Sequence, residues 1–100
     1  MNRVFRALSD PTRRRVLQLL RERPMTAGEL AAQFPSSKAT MSAHFSVLRE
    51  ADLIEAAKHG KSITYSLRLS VLEDALLAFA ETFGIGVASP SAASREGSAG

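Results

Sequence analysis

Ser36 to Leu53 reads SSKATMSAHFSVLREADL, and the fold turns on how this stretch is understood. Met41, Phe45 and Leu48 recur at i, i+4 and i+7, the stripe a helix buries against a core. The other side carries Ser37, Lys38, Ser42, Ala43, Ser46 and Arg49, short polar or small residues with a cation at each end. A solvated surface helix more often carries Glu and Lys in i,i+4 pairs. A face this slim fits a DNA major groove and donates hydrogen bonds to bases or phosphates. On these residues alone, an ordinary amphipathic core helix and a groove-entering helix both remain open.

The residues just upstream narrow the choice. Pro24 ends a preceding helix, and Met25-Thr26-Ala27-Gly28-Glu29-Leu30 carries an N-terminal signature. Thr26 and Glu29 are spaced for a reciprocal capping box, Met25 and Leu30 for a hydrophobic staple. This helix should run only from Ala27 to Phe34, because Pro35 disfavours helical backbone at Phe34. The next cap is Ser36 or Ser37, so a turn of about three residues joins a short helix to a longer, slim-faced one. That is a helix-turn-helix.

Downstream, Asp52 should end the long helix in a left-handed turn. Ile54 to Ala57 and Ser62 to Leu67 read as strands around Lys58-His59-Gly60-Lys61. Ile63, Tyr65 and Leu67 alternate with Ser62, Thr64 and Ser66, the period of a half-buried strand. Gly60 supplies the positive φ of a tight hairpin. A hairpin tip with two lysines and a histidine after a helix-turn-helix is a wing, suited to lie along phosphates.

The flanks are helical. Asn2 to Leu8 places Val4, Phe5 and Leu8 opposite Arg3 and Arg6. Asp10 caps a helix from Pro11 to about Arg23 that buries Val16, Leu17, Leu19 and Leu20. Its Arg13-Arg14-Arg15 run is most simply a solvated face, with a phosphate contact as the alternative. The last helix, Ser70 to Gly84, should open on a Ser70–Glu73 capping box and close at Gly84. Its Leu72, Leu76, Phe79 and Phe83 stripe, with Val4, Phe5 and Leu8, exceeds what one small domain covers. A homodimer through the first and last helices would bury it. From Ile85 the chain is Ser/Ala/Gly-rich and aperiodic, so residues 1–84 should form the domain and 85–100 a disordered tail.

The composition bounds the chemistry. The formal net charge is +3. Seven arginines lie within Met1 to Arg23, whereas Ser70 to Gly84 carries Glu73, Asp74 and Glu81 and no cation. The basic end should attract a polyanion. The chain has no cysteine, which removes disulfides and thiolate metal sites and fits a reducing cytoplasm. No apolar run is long enough to span a membrane, and MNRVFRALSD lacks a signal peptide's apolar segment. His44 and His59, the two histidines, are too few for a usual transition-metal site. No nucleophile elbow or phosphate-binding loop occurs, so neither catalysis nor a cofactor is expected.

The run from Phe5 to about Phe83 resembles the ArsR-type winged helix-turn-helix repressors of bacteria, most of all their SdpR-like autorepressor branch. Phe5 to Arg13 (FRALSDPTR), Thr26 to Ala31 (TAGELA), Ser37-Lys38, Thr40-Met41-Ser42, His44-Phe45 and Val47 to Ala51 carry the likeness, with Gly60-Lys61 and Tyr65-Ser66-Leu67 in the wing. The resemblance implies a mainly α fold of five helices with a β-hairpin between the fourth and fifth. It also implies a homodimer that represses transcription from an inverted-repeat double-stranded DNA operator. DNA-contacting positions would be Ser37, Lys38, Ala39, Thr40, Ser42, Ala43 and Ser46, with Arg49 and the wing residues Lys58, His59 and Lys61. Ala43 stands where many relatives have His, Phe45 where Leu is usual, and Asp52 where Gly is common. The metal ligands of the family's sensors are missing, so no metal role carries over. Two alternatives accompany this reading. One is a winged-helix module for protein partners. The other is a repressor released by an unidentified protein or by a small apolar inducer at the dimer seam.

Overall fold

The computed structural model describes residues 2–86. Its elements are α1 (Asn2–Leu8), α2 (Pro11–Glu22), β1 (Met25–Thr26), α3 (Ala27–Ala31), α4 (Lys38–Glu50), β2 (Ile54–His59), β3 (Ser62–Leu67) and α5 (Leu69–Thr82). Helices α1 to α4 pack around one core with the antiparallel sheet, in strand order β1-β3-β2, beside them. The core is wholly apolar among the described residues: Leu30, Met41, Leu48, Leu53 and Val16 are its largest fully enclosed side chains. The tail expected beyond Ile85 lies, from residue 87, outside the described residues.

Local chemistry sets most boundaries. The Asp10 carboxylate accepts from the Arg13 N–H at 3.1 Å and caps α2, with Pro11 in the first turn. The capping box forms as the spacing demands. Glu29 N–H donates to Thr26 Oγ1 at 3.0 Å, and Thr26 N–H donates to Glu29 Oε1 at 2.9 Å. The bond from the Thr26 N–H, above all, holds the Glu29 carboxyl below the ordinary glutamate value. A lowered carboxyl pKa stabilises the fold above its unfolded-state value, and the stabilisation disappears as pH falls through the folded one. Stability should therefore decline between about pH 5 and pH 3, and Glu29→Gln should flatten that decline. Urea midpoints across this range check it; parallel wild-type and variant curves would contradict it.

Helix α4 ends in a Schellman turn. Asp52 adopts φ 60, its N–H donates to Arg49 O at 2.9 Å, and Leu53 N–H reaches back to Leu48 O at 3.1 Å. Leu48 and Leu53 are both fully buried, the apolar contact that accompanies this turn. Gly84 (φ 66) closes α5 in the same way, with Ile85 N–H on Ala80 O at 2.8 Å.

Several expectations need correction. Helix α3 stops at Ala31, and single-turn hydrogen bonds carry the chain on to Phe34. Strand β2 extends through His59, so the turn is only Gly60-Lys61, with φ 60 at Gly60. A third strand, β1, pairs Met25 with Tyr65 and Thr26 with Thr64; two residues have no period to betray a strand. No Ser70–Glu73 capping box forms, and α5 starts at Leu69 without a side-chain cap. The Arg68 backbone takes that role. Its N–H donates to Leu53 O at 2.9 Å and its carbonyl accepts from Val71 and Leu72, which leaves Ser70 inside the first turn.

The arginine run is not a simple solvated face. Arg13 Nε donates to Ala7 O at 2.9 Å and Nη2 to Arg6 O at 2.7 Å, while Arg14 Nη1 donates to Leu8 O at 2.7 Å. The last turn of a helix leaves its carbonyls without intrahelical donors. Two arginines of α2 supply them for α1.

Candidate nucleic-acid interface

Helix α4 is amphipathic as the i, i+4, i+7 row requires. Met41, Phe45 and Leu48 are buried, whereas Lys38, Ala39, Thr40, Ser42, Ala43, Ser46 and Arg49 are exposed. Positions 38, 39, 42, 43, 46 and 49 form one continuous outer stripe at helical spacing. Ser37 lies at its head and caps the helix. Its Oγ accepts from the Thr40 N–H at 3.1 Å and donates to Thr40 Oγ1 at 3.0 Å. The two hydroxyls are thus hydrogen-bonded to each other at the head of the stripe.

Two contacts fix how far this stripe stands out from the body. The Phe45 ring lies 4.9 Å from that of Tyr65, so the middle of α4 is seated on the central strand of the sheet. Room for Phe45 comes from α3, where Ala27, Gly28 and Ala31 line a cleft of about 200 Å³ shared with Lys38, Met41, Ser42 and Phe45. Larger residues at those α3 positions would close it.

The wing is held by the same strand. β3 pairs with β2 from Ile54↔Leu67 to His59↔Ser62, and on its other edge with β1, whose Thr26 is itself the α3 cap. Helix-turn-helix and wing therefore share a backbone anchor. Paired residues face the same side of a sheet. Lys58, opposite Ile63, thus stands on the face of Tyr65, and His59, opposite Ser62, stands on the other. With Lys61 in the turn, the exposed tip carries a lysine on the Tyr65 face, a second lysine at its end and an imidazole on the other face.

His44 sits at the inner edge of α4, where side-chain exposure is 16%. Its Nδ1 lies 3.2 Å from Arg13 Nη1 and 4.0 Å from Asp10 Oδ2. Partial burial raises the Asp10 carboxyl pKa, but the Arg13 backbone N–H above all, with the Thr12 N–H and the Arg13 guanidinium, outweighs it and brings it below the ordinary aspartate value. His44 is thus packed and in polar contact. Its partner, 31 positions earlier, had no local signal. No group of three or more His, Cys, Asp or Glu able to hold a metal exists among the described residues. Nor is any described helix long and apolar enough to cross a membrane.

The residues expected at a dimer seam divide. Val4 is buried in the chain's own core, with Ala7 beside it. Phe5 packs edge-on against Phe79 at 4.5 Å, and Phe79 against Phe83 at 4.8 Å, which ties α5 to α1. Leu8 and Leu72 are half-buried. Leu76 remains 47% exposed and Phe83 64%, and Leu69, Leu77 and Ile85 extend the uncovered surface.

A short helix, a six-residue connection over residues 32–37, a slim-faced second helix and a basic hairpin make a winged helix-turn-helix, the architecture of a DNA-binding regulator. A helix-turn-helix domain model matches residues 8–56. The transcriptional repressor SdpR of Bacillus subtilis is 46% identical over 76 residues, covering 76% of this chain and 84% of SdpR. The HTH-type transcriptional regulator CmtR of Mycobacterium tuberculosis is 39% identical over 74 residues, 74% of this chain and 63% of CmtR. Among solved structures, an ArsR family transcriptional regulator superposes with a TM-score of 0.76 at 31% identity, covering 83% of this chain and 91% of that one. A possible transcriptional regulator for arsenical resistance gives 0.71 at 38% identity, covering 81% and 83%. The chain belongs to the ArsR family of winged helix-turn-helix transcriptional repressors. It is a DNA-binding regulator and not an enzyme.

Proposed function

We propose that this repressor acts in the cytoplasm as a homodimer on an inverted-repeat operator, and that it regulates its own transcription. Helix α4 of each copy enters a major groove with Lys38, Ala39, Thr40, Ser42, Ala43 and Ser46 against the bases and Ser37 at the entry. Arg49, Lys58, His59 and Lys61 lie against phosphates. The observation that carries the DNA-binding surface is the outer stripe of α4, uniformly exposed and free of acidic side chains from Lys38 to Arg49. The observation behind the dimer is α5, an apolar helix in which Ala80 is the one buried residue. A groove of about 240 Å³ lined mainly by Leu8, Leu17, Leu67, Leu69, Leu72 and Leu76 lies open along it. A second copy covers this surface across a two-fold axis.

Affinity and selectivity should separate by residue. Lys61→Ala removes a phosphate contact, so specific and non-specific binding weaken together and the salt slope falls by about 0.9. Lys38→Ala or Ser42→Ala removes a base contact, at about 1–3 kcal/mol of discrimination. Anisotropy titrations on operator and scrambled duplexes over a range of salt check both. An unchanged slope for Lys61→Ala, or a wild-type selectivity ratio for both recognition-helix variants, would contradict the assignment. The DNA upstream of the protein's own coding sequence, shifted at physiological salt against competitor, tests autoregulation. A protein-interaction module would leave that DNA unshifted.

A further inference from the structure

We infer that Arg13 is a positioning residue for DNA recognition, setting the pose of α4 relative to α1 and hence the half-site spacing the dimer accepts. The inference rests on the proposed dimeric operator complex and adds to it a residue outside the DNA-facing surface. Three nitrogens of one guanidinium reach two elements. Nε and Nη2 donate to the carbonyls of Ala7 and Arg6, at 2.9 and 2.7 Å, in the last turn of α1. Nη1 lies 3.2 Å from His44 Nδ1 on α4. A guanidinium can only donate, so Nδ1 is the acceptor in this contact. Asp10 completes the joint, accepting from the Arg13 backbone N–H at 3.1 Å with Oδ2 4.0 Å from the same Nδ1. The end of α1, the start of α2 and the inner edge of α4 thus meet at one side chain.

The consequence is geometric. In the proposed dimer α5, tied to α1 through Phe5 and Phe79, lies at the two-fold seam and α4 in the groove, so the α1–α4 joint contributes to the distance between the two recognition helices. Half-sites about one helical turn apart admit little slack, because one base pair changes both separation and rotation. A planar fork makes this bridge because its donors are held at fixed angles; the single ammonium of a lysine does not reproduce it.

The test measures binding by wild type, Arg13→Lys, His44→Asn and the double variant. The probes are a duplex recovered from a random pool and derivatives with the half-site spacing changed by one or two base pairs. Arg13→Lys keeps the charge and should bind the parent duplex about tenfold more weakly, with a flatter dependence on spacing. Its dimerisation and salt slope should be unchanged. His44→Asn leaves the α1 carbonyl bonds in place and should flatten the profile in the same sense, so it decides the matter if Arg13→Lys folds poorly. The double variant should be no worse than the more affected single variant, as expected of residues acting through one contact. A wild-type spacing profile in folded Arg13→Lys and in His44→Asn overturns the inference while leaving DNA binding intact. Wild type that ignores every duplex removes the reading on which it rests.

Discussion

Leu76→Glu should dissociate the proposed dimer and lower operator affinity by about 10²–10³-fold while leaving each chain folded. Leu76 is 47% exposed in the single chain, so a glutamate there meets mostly water in the monomer. At a two-fold seam it would be taken out of water opposite its own symmetry mate. Burying two like charges without partners is far costlier than anything the surrounding leucines regain. The loss in affinity follows from valency. One recognition helix retains its contacts, but the second is no longer held at high effective concentration over its half-site. Sedimentation velocity and circular dichroism on the same samples separate the two effects. A Leu76→Glu protein that sediments as wild type and binds operator as wild type would remove α5 from the interface.

Phe45→Ala should reduce stability by about 3–5 kcal/mol, a large share of what a domain this small possesses. The ring is 4% exposed and is the link between the middle of α4 and Tyr65 on the central strand. Truncation opens a void beside a cleft that already runs between α3 and α4, so there is little nearby mass to collapse inward. Operator binding should fall along with stability, because α4 loses the contact that holds its outer face at a fixed height above the sheet. Chemical denaturation at fixed protein concentration checks this. A change below about 1 kcal/mol would mean that the α4–sheet contact carries little of the stability.

Much of this architecture was legible because short-range chemistry specifies it. The Thr26–Glu29 box, the Asp10 and Ser37 caps, the left-handed Asp52 and the Gly60 hairpin each need only residues within a few positions of one another. The buried row of α4 and the alternation of β3 follow from periodicity. What escaped was non-local or had no period. β1 is two residues paired to a strand nearly forty positions later. The Ser70–Glu73 box had the right spacing, but the Arg68 backbone, anchored on Leu53, had already started the helix. Arg13 and Arg14 looked like surface charge because their acceptors, the end carbonyls of α1, carry no side-chain signature. The outer face of α4 was readable as slim and hydroxyl-rich, and family resemblance supplied the assignment to bases and phosphates. The Ser37–Thr40 hydroxyl contact has no counterpart in the sequence pattern.

The central claim, that two copies of the α4 edge read a duplex across a two-fold axis, is tested most directly by selection. Purified protein would be equilibrated with a random duplex pool at physiological salt, and the retained sequences read. An inverted repeat with half-site centres about 10 base pairs apart, or a multiple of that, is the predicted result. Enrichment of no motif, or of solitary half-sites without a mirrored partner, would contradict it.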